Sequence, residues 1–349
     1  MLMALFGSGC ATGPTYRIDD DGTVHLPARS VKLAPELSEA SRRLYVDTMR
    51  SAIARQGQPS PASLAELHRV ALPYSAEVVR QANERVLRDH PVTVNRRSIA
   101  GVPVLEVVPA NIAPANKDRV LVNLHGGAFI FNAGSLAEAV PVAEAGRIRV
   151  LVVDYRMPPE HPFPAALEDF LSVYRELLRS HASEAIGVYG SSAGAALTAS
   201  AALYAQQKGL PMPGALGLMS FGSGDSEQTL DGLDPYLSSW GKPSLMAVPT
   251  MLKFYAPNDA IDNPLVNPIH ADFTRGFPPS LLISGTRDLF LSGTVRLHRK
   301  MRDAGVQAEL ELWDGMWHGF NADSNAPLET PEAAQASRVI ADFFRRRLR

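Results

Sequence analysis

From residue 101 onward, short apolar runs alternate with longer segments of helical periodicity, and this alternation constrains the fold more than any other feature. The apolar runs, each predicted to be a β-strand, are Val102–Val108, Arg119–Leu124, Arg149–Val153, Ile186–Tyr189, Leu216–Phe221, Ser280–Ser284 and Ala308–Leu312. The helical candidates are Ser135–Ala145, Ala165–Arg179, Ala193–Gln207, Val295–Ala304 and Pro331–Arg347. Strands that alternate with helices form βαβ units, with parallel strands and helices on both faces of the sheet. The sequence therefore predicts an α/β fold with a mostly parallel central sheet.

The residues before this core predict a helical segment, which we place at residues 31–92, and the α/β domain then covers residues 93–349. Apolar residues fall on one face of a predicted helix over Leu33–Arg55. A second helical stretch covers about Ala62–Asp89. We expect it to be interrupted near Pro73, because proline removes a hydrogen bond from a helix interior.

Residues 1–30 are predicted to be flexible, and they bear on localisation. Met1–Phe6 is apolar, and small residues then lead to the single cysteine, Cys10, as at the end of a bacterial lipoprotein signal. The apolar run is too short for the hydrophobic part of such a signal, and no positive charge precedes it. The chain as written is expected to be cytoplasmic. A Cys10-anchored form at the cell envelope is the alternative if the true N-terminus is longer.

Composition excludes several classes of function. Thirty-four Lys and Arg residues face 36 Asp and Glu residues, so the net charge is −2 and no basic excess supports nucleic-acid binding. A single cysteine excludes an internal disulfide framework, a Cys-rich zinc site and a CxxC redox pair. No apolar run reaches the roughly 18 residues that a membrane-spanning helix needs. Metal and phosphate-loop motifs are also missing, so we expect no cofactor and no metal.

The strongest chemical signal is the Gly-x-Ser-x-Gly pattern at Gly190–Gly194, with Ser192 at its centre. The pattern falls between the predicted strand Ile186–Tyr189 and the predicted helix Ala193–Gln207. A tight strand-to-helix turn exposes the serine hydroxyl and places a helix N-terminus beneath it, which favours developing negative charge. We therefore predict that Ser192 is a nucleophile. The alternative is an ordinary helix N-cap in a glycine-rich turn.

A second signal, His125-Gly126-Gly127, directly follows a predicted strand. Adjacent glycines leave backbone N–H groups free to bind a substrate oxygen, as an oxyanion hole requires. We predict that the N–H groups of Gly126, Gly127 and Ala193 form this hole, since Ala193 follows the nucleophile. The alternative is a flexible turn at the end of a strand. For His125 we favour a structural role that orients the loop.

A serine nucleophile needs a base, and the base needs a carboxylate that fixes its tautomer. Asp288 follows the predicted strand Ser280–Ser284, and His318 follows Ala308–Leu312. Both therefore fall at the sheet edge where open α/β sheets bind ligands. The chain order Ser192, Asp288, His318 is that of α/β hydrolases, and we predict that these residues form a catalytic triad.

Longer blocks of sequence match a known family. They are His125–Gly127, Asp154–Asp169, Gly190–Gly194, Asn263–Leu265, Gly276–Pro279, Asp288 and Gly315–Phe320. Over about residues 100 to 345 the chain resembles the hormone-sensitive-lipase-like family of α/β hydrolases, in particular its bacterial esterases. The resemblance implies an α/β-hydrolase fold with a helical N-terminal cap over the site, a place that residues 33–89 would fill.

The chain departs from the family pattern at three positions. Ser191 stands where the family usually has Asp or Glu before the nucleophile, and Ala195 and Ala128 each stand where it usually has Gly. The two alanines are expected to cost little, because oxyanion donors are backbone groups. Ser191 removes a charge from beside the active serine, so we expect it to affect rate and pH optimum more than reaction class.

Together, these features predict a cofactor-independent serine carboxylesterase. It would hydrolyse short- to medium-chain carboxylic esters of small molecules through an acyl-enzyme. The same triad serves lactones, amides and aryl esters, so these substrates stay open, as does a less favoured non-catalytic ligand-binding protein. Tyr236 and three tryptophans could line an acyl pocket, although aromatic residues near strand ends more often belong to the core. A homodimer is one of the oligomeric states left open.

Overall fold

The structure, a computed structural model, describes residues 17–20, 24–25, 32–54, 63–222, 248–322 and 329–349. The chain forms two compact units, residues 1–35 and 36–349. In the first unit, Arg17–Ile18 pairs antiparallel with Val24–His25. The expectations for Cys10, and for an acyl pocket lined by Tyr236 and Trp240, lie outside the described residues.

An eight-stranded sheet organises the second unit. Its strands are β1 Val92–Ile99, β2 Val102–Pro109, β3 Val120–Asn123, β4 Arg149–Val153, β5 Ile186–Ser191, β6 Ala215–Met219, β7 Ser280–Arg287 and β8 Ala308–Trp317. Across the sheet the order is β8-β7-β6-β5-β3-β4-β2-β1. β2 runs antiparallel to β1 and β4, and the other neighbours are parallel. The predicted α/β fold with a mostly parallel sheet is confirmed.

Helices connect and flank the strands. They are α1 Glu39–Ala54, α2 Leu64–Asp89, α3 Ala139–Gly146, α4 Ala165–Leu177, α5 Ala193–Gln207, α6 Val248–Tyr255, α7 Leu291–Asp303 and α8 Pro331–Arg347. One sheet face packs against buried side chains of α4, α5 and α7 in a single apolar cluster. On the other face α3 contacts α8, and Phe344 of α8 lies so close to Gly187 that a Cβ there would be 2.6 Å from its ring.

Several predicted boundaries were wrong, each for a local reason. β1 was missed because most of its residues are exposed and polar, and only the antiparallel partner β2 holds them in the sheet. α2 is continuous through Pro73, which lies on an exposed face where water can satisfy the carbonyl that loses its partner. α3 begins at Ala139, not Ser135, because residues 132–138 form turns instead. α1 begins at Glu39, six residues later than predicted.

The N-terminal helices are attached to the core by specific contacts. Ser38, just before α1, and Ser41, within α1, donate hydrogen bonds to the Glu332 carboxylate of α8. The hydroxyl-to-oxygen distances are 2.8 Å and 2.7 Å. Asn83 of α2 donates to the carbonyl of Gly134 at 3.0 Å and accepts from the N–H of Leu136 at 2.8 Å. The role of residues 31–92 as a cap, and their separation from a domain at 93–349, stay predictions. No helix in the described ranges is long and apolar enough to cross a membrane.

Candidate active site

Ser192 lies on the turn between β5 and α5, with φ +58° and ψ −122°. Its N–H donates to the carbonyl of Met219 at 2.8 Å, which pins the turn to β6. The flanking glycines are needed for space, because a Cβ on Gly190 or Gly194 would lie 2.1 Å or 2.0 Å from the Leu124 carbonyl oxygen. The Gly-x-Ser-x-Gly pattern is thus explained by the close approach of β3 to this turn, and a positive φ at a serine is a strained conformation that marks a functional turn.

A hydrogen-bonded chain joins Ser192, His318 and Asp288. His318 Nε2 lies 2.9 Å from Ser192 Oγ, and His318 Nδ1 lies 2.9 Å from Asp288 Oδ1. The His318 ring is 4% exposed, and the edge of the Phe290 ring packs against it with centroids 4.6 Å apart. The structure therefore brings together the three side chains that the sequence selected, in the spatial order nucleophile, base and carboxylate.

Asp288 is fully buried at the end of β7. Its carboxylate accepts from the Ser284 hydroxyl at 2.9 Å and from the N–H of Phe290 at 2.9 Å. Burial by itself raises the pKa of Asp288, but the charge of His318 and the hydrogen bonds from His318, Ser220 and Phe290 outweigh it, and the pKa is lowered. Asp288 is thus held as a carboxylate that can fix His318 and stabilise its cation.

The loop after β3 supplies backbone donors, although not all of those predicted. Gly127, Ala128 and Phe129 have φ values of +115°, +57° and +66°, so the chain turns sharply beside Ser192. Among the described residues, the N–H groups of Gly127 and Ala128 donate to no other group. Ala193 is the first residue of α5, where a backbone N–H has no partner within the helix.

The prediction for Gly126 needs correction. Its N–H donates to Glu138 Oε1 at 2.8 Å, so this hydrogen is already held by a buried carboxylate. It is not available to an oxyanion in this conformation. The sequence could not reveal this, because the acceptor comes from a residue twelve positions later, at the start of α3.

His125 orients the loop, as the sequence favoured. Its ring is fully buried, and Nδ1 lies 2.8 Å from the carbonyl of Gly126, which requires a proton on Nδ1. Tyr155 stacks on the ring at 4.3 Å and donates to the His125 carbonyl at 2.7 Å. Burial lowers the pKa of His125, so the ring is held neutral.

Glu138 is a residue that sequence reasoning missed. Its buried carboxylate accepts from the N–H of Gly126, from Asn123 Nδ2 at 3.1 Å and from the N–H of Ser191 at 3.1 Å. Burial raises the pKa of Glu138 to about 7, against these hydrogen bonds and one with the Ser191 hydroxyl, which lower it. The only available signal was a lone acidic residue between Leu136, Ala137, Ala139 and Val140.

An apolar pocket opens beside Ser192. Its walls include side chains from the loop after β3, from α6 and from the segments before and after β7. They are Ala128, Phe129, Met251, Leu252, Val266 and Phe290. Trp317 lies elsewhere, packed against Tyr45 of α1 with ring centroids 6.0 Å apart. Among the described residues, no group of three or more His, Cys, Asp or Glu side chains could hold a metal ion.

Comparison with known proteins agrees with the fold and the sequence blocks. A family model described as alpha/beta hydrolase fold matches residues 121–322. An esterase of Acinetobacter venetianus is 32% identical over 235 residues, which cover 66% of this chain and 76% of that protein. An acetyl-hydrolase of Streptomyces hygroscopicus is 30% identical over 263 residues, covering 70% and 84%. The chain thus belongs to the α/β-hydrolase fold family.

Solved structures narrow the group. The crystal structure of an esterase E25 superimposes with a TM-score of 0.76 at 33% identity, covering 93% of this chain and 99% of that one. An esterase from the bacterial hormone-sensitive lipase family superimposes with a TM-score of 0.71 at 28% identity, covering 87% and 97%. Within the α/β hydrolases, the chain belongs to the hormone-sensitive-lipase-like group, as the sequence predicted.

Proposed function

We propose that this carboxylesterase-type α/β hydrolase cleaves short- to medium-chain carboxylic esters through an acyl-enzyme on Ser192. The observation that carries the proposal is the chain of two 2.9 Å hydrogen bonds from Ser192 through His318 to Asp288. Relatives named esterase and acetyl-hydrolase, each about a third identical, support the reaction class.

Acylation begins with proton transfer from Ser192 Oγ to His318 Nε2 as the serine oxygen attacks the ester carbonyl. Asp288 accepts a hydrogen bond from the Nδ1–H group of His318, so Nε2 is free to act as the base. The negative charge of Asp288 then stabilises the imidazolium. His318 then returns the proton to the leaving alcohol, and the acyl group stays on Ser192. In the second half, water gives a proton to His318 and attacks the acyl carbon, and His318 returns that proton to Ser192 Oγ as the acyl–serine bond breaks and the acid is released.

The negative oxygen of each tetrahedral intermediate needs donors that are already in place. We assign this role to the N–H groups of Gly127, Ala193 and Ala128. The first two follow the sequence prediction, and Ala128 replaces Gly126, whose N–H donates to Glu138. An alanine serves here as well as a glycine, since the donor is the backbone.

The acyl part of the substrate is assigned to the apolar pocket beside Ser192. Its walls carry the apolar side chains of Phe129, Met251, Leu252 and Phe290, which suit an acyl chain. A relative named acetyl-hydrolase supports short acyl chains. Simple esters are the leading substrates, because relatives of this chain are named esterase and acetyl-hydrolase.

The test is hydrolysis of p-nitrophenyl esters from acetyl to palmitoyl, with lactone and anilide substrates beside them. We expect a maximum at short acyl chains and turnover reduced to background in Ser192→Ala. Ser172→Ala, on the surface of α4 with its hydroxyl donating only to the Glu168 carbonyl, is the matched control and should keep wild-type turnover. Retained turnover in Ser192→Ala would contradict the nucleophile, and a maximum on lactones or anilides would contradict the substrate class.

A further inference from the structure

We propose that Glu138 is a positioning residue that holds the oxyanion loop, residues 125–129, against the nucleophile turn, residues 190–194. We also propose that Ser191 is uncharged because Glu138 already provides the carboxylate beside this turn. This proposal rests on the proposed esterase function. It adds a role for a side chain that touches neither substrate nor triad.

The first argument is connectivity. One carboxylate oxygen of Glu138 accepts from the N–H of Gly126 in the oxyanion loop, and the other accepts from the N–H of Ser191, the residue before the nucleophile. Asn123, the last residue of β3, donates to the same second oxygen. A single side chain therefore fixes the relative position of the two segments that must hold a substrate carbonyl between them.

The second argument concerns which hydrogens are free. The Gly126 N–H donates to Glu138, whereas the N–H groups of Gly127 and Ala128 donate to no other group among the described residues. The structure has no room for the loop to move inward. A Cβ on Gly126 would lie 2.7 Å from the Ser191 carbonyl oxygen. Loss of the Glu138 contact would therefore release the loop away from the turn.

The third argument is the identity of residue 191. The Ser191 side chain is buried, and its hydroxyl accepts from Asn321 Nδ2 at 2.9 Å and hydrogen-bonds the Glu138 carboxylate. An acidic residue at position 191 would place a second carboxylate against Glu138. Two buried carboxylates in contact cannot both ionise cheaply. The uncharged Ser191 is the residue type that this arrangement requires.

The groups around Glu138 include no cation among the described residues, and one neighbour, Asp154, is a second carboxylate. Tyr189 of β5 donates to the Glu138 carbonyl, and burial and the charge of Glu138 raise the pKa of Tyr189 and of Tyr155 well above 10. His125 is neutral because burial lowers its pKa. Asp154 accepts from the N–H of Gly134 in the same loop. With no cation among these neighbours, protonation of Glu138 should remove an acceptor that the loop needs, so activity should require the ionised form.

The experiment compares the wild type with Glu138→Gln, Ser191→Asp and the double variant Glu138→Gln/Ser191→Asp. Glu176→Gln, an exposed residue of α4 paired with Arg179, is the matched control. We measure kcat and KM against pH on p-nitrophenyl acetate, and inhibition by an aryl trifluoromethyl ketone, which forms a tetrahedral adduct on the serine.

For Glu138→Gln we expect kcat to fall by about tenfold to a hundredfold with little change in KM, because only transition-state contacts weaken. Ketone affinity should fall in parallel, and the ionisation near pH 7 in the kcat profile should be lost. Ser191→Asp should lose activity in the same way. The double variant should recover most of it, since the amide introduced at position 138 can donate to the carboxylate introduced at position 191.

The outcomes distinguish a failure of the role proposed for Glu138 from a failure of the proposed esterase function. If wild-type turnover is absent, or persists in Ser192→Ala, the proposed function fails and the role of Glu138 fails with it. If turnover depends on Ser192 but Glu138→Gln keeps its kcat and the same pH profile, only the role of Glu138 is overturned. Should Glu138→Gln not fold, Ser191→Asp decides by itself, because a folded Ser191→Asp variant with the wild-type kcat also overturns the proposal.

Discussion

Two buried carboxylates support Ser192 by different routes, and the same burial leaves them with opposite pKa shifts. Asp288 faces His318, and the charge of that ring together with several hydrogen bonds lowers the pKa of the carboxyl in spite of burial. Glu138 accepts a similar number of hydrogen bonds, but its donors are neutral, and burial raises its pKa to about 7.

At Glu138 the cost of burial outweighs the hydrogen bonds from neutral donors, whereas at Asp288 the charge of His318 adds to the hydrogen bonds and the pKa is lowered. The difference also assigns different tasks. In the proposed mechanism, Asp288 balances the charge that His318 gains during each turnover. Glu138 is suited to hold a loop, at a pKa where it is half ionised near neutral pH.

The largest expected effect comes from removing the charge of Asp288. In Asp288→Asn the amide can hold the wrong tautomer of His318, so Nε2 no longer accepts a proton. We expect kcat to fall by about four orders of magnitude, as in serine-protease triads. The measurement is steady-state hydrolysis of p-nitrophenyl acetate.

The control for Asp288→Asn is Glu138→Gln, whose kcat should fall far less. Equal losses in the two variants would contradict the division of tasks between the two carboxylates. The circular dichroism of both proteins identifies a loss that arises only from unfolding.

A smaller effect is expected in stability against pH. The folded pKa of Glu138, about 7, lies above its ordinary 4.5, so the folded state binds more protons between these values and stability is lost as pH rises. Each pKa unit corresponds to about 1.4 kcal/mol, so the wild type should lose on the order of 3 kcal/mol relative to Glu138→Gln between about pH 4 and about pH 8.

Urea unfolding of the wild type and Glu138→Gln across this range measures that difference. Asp288 contributes in the opposite sense, because its lowered pKa gives stability that is present above its ordinary 3.8 and lost as pH falls further. An identical pH dependence in both proteins would show that Glu138 is not shifted.

The smallest effect is expected from Ser284→Ala, which removes one donor to the Asp288 carboxylate. A hydrogen bond to a charged group is worth about 1.5 to 3 kcal/mol, and Asp288 retains its other donors, so a loss of about 1 kcal/mol in unfolding free energy is expected. Ser172→Ala is again the matched control. If the two alanine variants unfold at the same urea concentration, the Ser284 contact is not stabilising the carboxylate.

The three residues of the proposed triad could be found from the sequence because their signals are local. Ser192 sits in a motif that only a tight strand-to-helix turn explains, and Asp288 and His318 each follow an apolar run that ends at the same sheet edge. The bounds of α5 and α8 also match, since Ala193 follows the serine turn and Pro331 is a strong start signal with Thr330 as N-cap.

What the sequence could not give depends on contacts between distant segments. The Gly126 N–H looks free in a two-glycine loop, and only the packing of α3 shows that Glu138 accepts it. β1 has polar, exposed residues such as Asn95 and Arg96, and its antiparallel partner β2 makes it a strand. α6, which lines the pocket beside Ser192, was missed because it has only eight residues, although Pro249 in its first turn and Pro257 just after its end are helix boundary signals.

The most direct test of the central claim is to trap the acyl-enzyme. Wild type, Ser192→Ala and Ser172→Ala are mixed with p-nitrophenyl butyrate, quenched in acid within the first turnover and digested for mass spectrometry. The account predicts a butyryl group on the peptide that contains Ser192, in the wild type and Ser172→Ala but not in Ser192→Ala. A butyryl group on another residue, or ester turnover by Ser192→Ala at the wild-type rate, would contradict it.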